Sequence, residues 1–173
     1  MTIAIKHIIR FFLFALIQVL VLNQIEIGWG IQLMIYPVFI MLLPVELSVF
    51  YLLLISFIFG MFIDSMSNSY GLHTSALLLF AYLRPLIFKV FAPRDGYDIL
   101  LEPNIFNMGK KWFYKTFGIL LLIHHFWFFL LEIFKLNEIL FVTQKTILSF
   151  IFSMLLCVLV QYLFIRNSKN NAI

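Results

Sequence analysis

The sequence predicts an all-α integral membrane protein in which residues 1–173 form one domain with six transmembrane helices. Its composition is 64% hydrophobic and 12% charged, whereas soluble proteins average ~45–50% apolar and ~25% charged residues. The hydrophobic residues form six runs separated by polar or turn-forming segments. These runs lack the alternation of apolar and polar residues that transmembrane β-strands need, so a β-barrel is excluded.

The first two runs are the least regular of the six. The first follows Lys6 and Arg10, as the apolar part of a signal peptide would. Polar Asn23 and Gln24 follow it in place of a cleavage site with small residues, so we expect an uncleaved helix. The second run contains Pro37 and is shorter than the ~20 residues that a membrane-spanning helix needs. We therefore expect that helix to be tilted, kinked or bordered by thinned bilayer.

The other four runs have the length of ordinary membrane helices. In the fourth, Pro85 removes a backbone donor and is expected to kink or end the regular helix. Its neighbour Arg84 is expected to extend towards the nearer lipid headgroups. Proline and glycine interrupt the polar segment 92–111 that precedes the fifth helix. The six predicted helices cover residues 8–25, 31–43, 47–64, 72–91, 112–134 and 141–165.

The basic residues predict the orientation of these helices. If the N-terminus is cytoplasmic, ten of the 12 lysines and arginines lie on the cytoplasmic side, and only Lys135 and Lys145 lie outside. The positive-inside rule therefore places both termini in the cytoplasm. Because the basic residues are divided among the connections and do not form one surface, we interpret them as topology determinants and expect no nucleic-acid partner.

The connection between the third and fourth helices carries the most informative residues. Gly60 and Asp64 are four residues apart and share one helix face, where a neighbouring helix can approach closely. A carboxylate at the centre of a membrane helix costs roughly 2.5–3.5 kcal/mol, and less near its end. The serines around Asn68 can offset this cost, and Gly71 allows the chain to turn back. An ion pair between Asp64 and His73 would brace the hairpin; proton transfer between them is the alternative.

The spacing of Gly60, Asp64, Gly71 and His73 resembles that of the rod shape-determining protein MreD family, and Arg84-Pro85 and the loop 92–97 resemble its Bacteroidetes branch. The resemblance implies a six-helix bundle similar to the S components of energy-coupling-factor transporters. It also implies a non-catalytic scaffold of the cell-elongation complex in the bacterial inner membrane, with no cofactor. Its partner would be the single-span periplasmic protein MreC, and through it MreB, a RodA-type glycosyltransferase and the elongation transpeptidase.

An S component of a vitamin transporter is the alternative function. Such a carrier needs a polar pocket with several convergent groups, and the outer helix halves offer Asp64, Asn68, His73 and little else. Its docking helices also need small-residue motifs such as Ala-x-x-x-Ala, which the sequence lacks. The sequence therefore favours the scaffold.

The sequence offers little for catalysis or metal binding. It contains no Ser-His-Asp order, HExxH, Walker loop or paired cysteines, so we expect no enzyme. The adjacent His124 and His125 point about 100° apart on a helix and do not predict a metal site. We expect the partner to pack where small or polar residues allow close contact. These positions are Gly60, Ser56 and Phe57 on the third helix and Gly118 on the fifth.

Overall fold

The computed structural model describes residues 3–25, 27–94, 96–98 and 102–165, and these residues form helices and connections without a β-strand. Four segments are long and apolar enough to cross a membrane: Ile5–Gln24, Val49–Ser67, Lys110–Ile133 and Leu136–Phe164. The chain is thus an all-α membrane protein, as its composition predicts. The helices are α1 (Ile3–Leu20), α2 (Pro37–Met41), α3 (Val49–Ser67), α4 (Leu72–Val90), α5 (Lys110–Ile133) and α6 (Ile139–Phe164), with 3-10 turns at Leu22–Gln24 and Leu136–Glu138.

The long helices form a bundle in which α1 packs on α3, α3 on α4, α4 on α5 and α5 on α6. We call the end that contains the connection 68–71 the hairpin end. There the Asn23 amide donates a hydrogen bond to Ser67 Oγ at 2.7 Å. We call the other end, which contains residues 102–109, the loop end. At the loop end Glu102 contacts Lys6 Nζ at 2.6 Å and Arg10 Nη1 at 3.0 Å, which ties this segment to the start of α1.

The second predicted helix, residues 31–43, is wrong for most of its length. Only Pro37–Met41 is helical, and residues 31–35 have no helical structure. Residues 34–43 are nevertheless all buried, and the segment runs from the hairpin end towards the loop end. An extended chain of six residues covers roughly 20 Å and a five-residue helix roughly 7.5 Å. Together they approach the ~30 Å of a bilayer core. The run is therefore long enough to cross most of the core because part of it is extended.

Gln18 of α1 binds one side of this extended segment. Its side-chain amide donates to the Leu33 carbonyl at 2.8 Å and to Asn23 Oδ1 at 2.7 Å. Its carbonyl oxygen accepts from the Ile35 amide at 2.9 Å. Gln18 is fully buried. Unpaired backbone groups are costly in an apolar environment, so a buried glutamine stabilises a non-helical segment here.

Two serines of α6 bind the other side. Ser149 Oγ accepts from the Gln32 amide, and Ser153 Oγ accepts from the Met34 amide, each at 3.0 Å. Odd-numbered residues thus bond to α1 and even-numbered residues to α6, the two-residue alternation of an extended chain. The segment fills the space between α1 and α6 as an isolated strand would.

Replacing Gln18 with leucine should therefore destabilise the protein by about 2–4 kcal/mol, because the Leu33 carbonyl and the Ile35 amide would lose their partner in a buried position. The unfolding of the purified protein in detergent, followed by circular dichroism during titration with sodium dodecyl sulfate, measures this loss. Gln144→Leu changes an exposed glutamine of α6 in the same way and should have little effect. Equal stability of the two variants would show that Gln18 does not hold the segment.

Arg84 turns inward, so the prediction that it reaches the headgroups is wrong. Its side chain is 1% exposed, and Nη2 donates to the carbonyls of Met41 at 3.2 Å, of Leu43, and of Pro44 at 3.4 Å. The guanidinium also lies 4.6 Å from the centre of the Phe88 ring. These carbonyls stand at the C-terminal end of α2, where a cation is favourable. Arg84 thus fastens α2 to α4.

The end of α4 differs in part from its prediction, whereas the following loop forms a turn. The helix continues through Pro85 to Val90, so the proline does not end it. The Gly96 amide donates to the Pro93 carbonyl at 3.1 Å, which closes a turn. The Tyr97 hydroxyl then donates to the Phe88 carbonyl at 2.6 Å. Burial raises the pKa of the Tyr97 phenol, which favours the neutral donor that this bond needs.

Candidate functional site

The junction of α3 and α4 is built around a close approach at Gly60. A Cβ atom at this position would lie 2.5 Å from Thr74 Cα and 2.9 Å from Thr74 Oγ1. Contacts this short do not occur between real atoms, and the nearest atom belongs to the backbone. Only glycine therefore allows the two helices to come this close, as the spacing of Gly60 and Asp64 predicts.

Asp64 caps the start of α4 from the end of α3. Gly71 occupies the N-cap position with a φ of 90° and has no side chain to accept from the first amides of the helix. Asp64 Oδ1 accepts from the His73 amide at 3.1 Å and from Ser69 Oγ at 2.7 Å. Asp64 Oδ2 accepts from the Thr74 amide at 2.8 Å and from the Thr74 hydroxyl. The carboxylate is thus held by four donors at the positive end of the α4 dipole.

The predicted ion pair between the side chains of Asp64 and His73 is absent from the described contacts, because the carboxylate binds the His73 backbone amide. The imidazole faces Tyr36 instead. The Tyr36 hydroxyl lies 2.9 Å from His73 Nδ1 and 2.8 Å from His124 Nε2. Because the hydroxyl has a single proton and also lies 3.9 Å from Met34 Sδ, it donates to at most one of the two rings. A continuous polar chain therefore links α4, the start of α2 and α5 inside the bundle.

His125 points to another helix, as the 100° between neighbouring residues predicts. Its Nδ1–H donates to the Leu121 carbonyl at 2.8 Å, and Nε2 lies 3.0 Å from Ser153 Oγ of α6. His124 and His125 are both fully buried. Among the described residues no group of three or more His, Cys, Asp or Glu side chains is arranged to hold a metal ion. The two histidines connect α5 to two different neighbours.

A cavity of about 750 Å³ lies at the hairpin end, between the end of α1, residues 27–33, the connection 68–71 and the end of α5. His73 forms part of its wall, and the Phe128 ring packs against His73 with 4.8 Å between ring centres. Amide and hydroxyl side chains form much of the remaining wall. These residues are Asn23, Gln24, Gln32, Ser67, Asn68 and Ser69.

Glu132 is the one acidic residue among the described residues of the cavity wall, and its charge is compensated. Its Oε2 lies 2.6 Å from Lys145 Nζ, and its Oε1 accepts from the Gln32 side chain at 3.0 Å. The Lys145 ammonium also lies 4.7 Å from the centre of the Phe129 ring, and its side chain is 9% exposed. The three-residue spacing of Glu132 and Lys135 predicts a weak ion pair between them. In the structure, the described contacts of the Glu132 carboxylate are instead with Lys145 and Gln32.

The positions predicted to pack against a partner lie mostly inside the bundle. Gly60, Ser56 and Gly118 are buried. A Cβ atom at Gly118 would lie 4.0 Å from Phe150 Cζ of α6, an ordinary contact. Phe57 is 47% exposed and remains available to a partner. The docking faces proposed at Gly60 and Gly118 are therefore wrong, because these glycines serve contacts within the chain.

Asn68 ends α3 in the left-handed conformation, with a φ of 53°, and its backbone amide donates to the Asp64 carbonyl. Its place at the turn agrees with its prediction. Tyr36, Gln32 and Thr74 are residues of the site that the sequence did not indicate. Tyr36 and Gln32 belong to a segment that reads as an apolar helix. The proline one residue after Tyr36 was the one signal of a helix start there.

The chain matches no family model, no curated protein and no solved structure.

Proposed function

We propose that this protein is a non-catalytic membrane scaffold of the MreD type, located in the bacterial inner membrane, that binds an MreC-like single-span protein of the cell-elongation complex. One observation carries the proposal: Gly60, Asp64, Gly71 and His73, whose spacing resembles the family, meet in one junction. Gly60 allows the close approach, and Asp64 caps α4 beyond Gly71 through the His73 and Thr74 amides. Gly60 and Asp64 therefore both stabilise the helix junction, which suits a scaffold that offers a fixed surface to a partner.

The outward face of α3 is the surface that we assign to the partner. Phe50, Tyr51 and Phe57 are 70%, 57% and 47% exposed on this helix. Aromatic side chains offer large contact areas at low cost in conformational entropy and are frequent anchors of interfaces. In lipid, burial of apolar area does not itself drive association, so an association here depends on close packing around these rings.

Affinity purification of the full chain from gently solubilised membranes of its own organism tests the proposal. We expect an MreC-like protein to co-purify in stoichiometric amount. Phe57→Ala should lower its recovery several-fold, because an exposed ring is removed from the proposed contact. Leu155→Ala removes a side chain that is 65% exposed on α6 and should leave recovery unchanged. If the unaltered protein captures no such partner, the scaffold proposal is wrong.

An S component of an energy-coupling-factor transporter remains the second candidate, and the cavity at the hairpin end favours it. The sequence alone suggested too few polar groups for a carrier, but the wall also contains Asn23, Gln24 and Gln32 from the region after α1. The same purification separates the two functions. A carrier would co-purify with ATPase subunits and a second membrane protein that couples ATP hydrolysis to transport.

The proposed topology has both termini in the cytoplasm, with the loop end facing the cytoplasm and the hairpin end facing outward. A reporter fused after Asn170 should therefore be active only if it requires a cytoplasmic location, and a reporter inserted after Tyr70 only if it requires an external one. Tyr70 is 99% exposed, so an insertion there should be tolerated. Reversed activities at these two positions would contradict the topology.

A further inference from the structure

We propose that the cavity at the hairpin end binds an uncharged ring compound that carries several hydroxyl or amide groups. The volume of about 750 Å³ lies within the ~300–1,000 Å³ that is typical of small-molecule sites. This inference goes beyond the scaffold function and does not depend on it, because the cavity wall and the α3 face are different surfaces.

The charges of the wall indicate an uncharged ligand. Glu132 is already bound by Lys145 and Gln32, so its carboxylate has little remaining attraction for a cation. No lysine or arginine belongs to the wall as far as the structure describes it. An anion at the wall would therefore find no described basic residue as a counter-ion.

The polar side chains of the wall indicate hydroxyl or amide groups on the ligand. Asn68 and Gln24 each carry both donors and acceptors, as the groups of a sugar or a nucleobase do. Among the described residues, neither the side-chain amide of Asn68 nor His73 Nε2 has a hydrogen-bond partner, whereas His73 Nδ1 faces the Tyr36 hydroxyl. These groups are therefore available to a ligand without breaking a bond that holds the bundle together.

Apolar side chains of the wall indicate a ring. Phe128 and His73 pack against each other and both belong to the wall, and Leu22 and Leu33 also contribute to it. A flat or saturated ring can pack on this part while its substituents reach the amides, which is the usual arrangement of small-molecule sites. His73 also bonds to Tyr36, so a ligand at the wall would contact the polar chain that reaches α5.

The test uses the full chain in detergent micelles and four labelled probes in equilibrium dialysis. Uridine and glucose are uncharged rings, the first with an amide-bearing heterocycle and the second without; uridine monophosphate and glucuronate are their anionic counterparts. We expect at least one uncharged probe to bind at least ten-fold more tightly than its anionic counterpart. Binding of uridine alone would indicate that the site recognises a heterocycle. Binding of both uridine and glucose would indicate that it recognises hydroxyl groups. Absence of binding by both uncharged probes, or equal binding of the anions, would overturn the proposal.

Two variants place the binding in the cavity. Asn68→Gly keeps the left-handed backbone and removes one amide, so the Kd of the bound probe should rise about 2- to 10-fold. Tyr70→Gly is its control, since Tyr70 has a φ of 48° in the same turn but does not belong to the wall. Gln24→Trp replaces a wall amide with a bulky ring and should also raise the Kd, with the thermal midpoint showing that the variant folds. Unchanged binding in Asn68→Gly would place the probe elsewhere.

Discussion

Replacement of Gly60 by alanine is expected to lower the free energy of unfolding by about 3 kcal/mol or more, the upper end of the range for overpacked positions. The added Cβ atom would meet Thr74 Cα at 2.5 Å. Both atoms belong to helices, so relief requires α3 and α4 to separate. Separation would also move Asp64 away from the amides that it caps. Titration with sodium dodecyl sulfate in detergent micelles measures the loss.

Gly118→Ala is the matched control for this substitution. It adds the same methyl group to a buried glycine in a membrane helix, but the nearest side-chain atom would be Phe150 Cζ at 4.0 Å. Alanine favours a helix over glycine by about 1 kcal/mol, so this variant should be as stable as the unaltered protein or slightly more stable. Equal destabilisation at both glycines would mean that the loss does not come from the approach of α3 to α4.

Asp64→Ala is expected to destabilise the protein by about 2–6 kcal/mol. The change leaves the His73 and Thr74 amides without an acceptor in a buried position, at about 1–3 kcal/mol for each group. Gly71 has no side chain that can replace the lost cap. The start of α4 should therefore fray, which hydrogen exchange of these amides measures directly.

Two further variants show whether the cap is the cause. Asp64→Asn keeps one carbonyl oxygen as an acceptor but turns an NH2 group towards donors, so its loss should be smaller than that of alanine. Ser65→Ala changes the next residue, which is exposed and whose hydroxyl donates to the Phe62 carbonyl one turn earlier. This control should leave the exchange of the α4 amides unchanged. Rapid exchange in Ser65→Ala, or slow exchange in Asp64→Ala, would contradict the capping role.

Local patterns in the sequence were sufficient for the regular parts of the fold. Continuous apolar runs in the first, third, fifth and sixth helices predict segments that are long enough to cross a membrane, because each residue of such a helix satisfies its backbone within the same segment. The four-residue spacing of Gly60 and Asp64 predicts a close helix contact, since such residues share one face. The left-handed turn at Asn68 and Gly71 likewise follows from residue types that tolerate a positive φ.

The extended segment, the inward turn of Arg84 and the cavity depended on residues far apart in the chain. Residues 31–35 read as part of an apolar helix, and they become extended because Gln18 and Ser153 supply the partners that a helix would have supplied locally. Arg84 is buried because the carbonyls at the end of α2 stand beside it. These partners come from other helices, and a pattern within one segment carries no information about them. The sequence thus determined which segments are helical and apolar and how α3 turns into α4. Only the tertiary structure decided which buried polar groups meet, because a hydrogen bond across the bundle requires two segments to be in place at once.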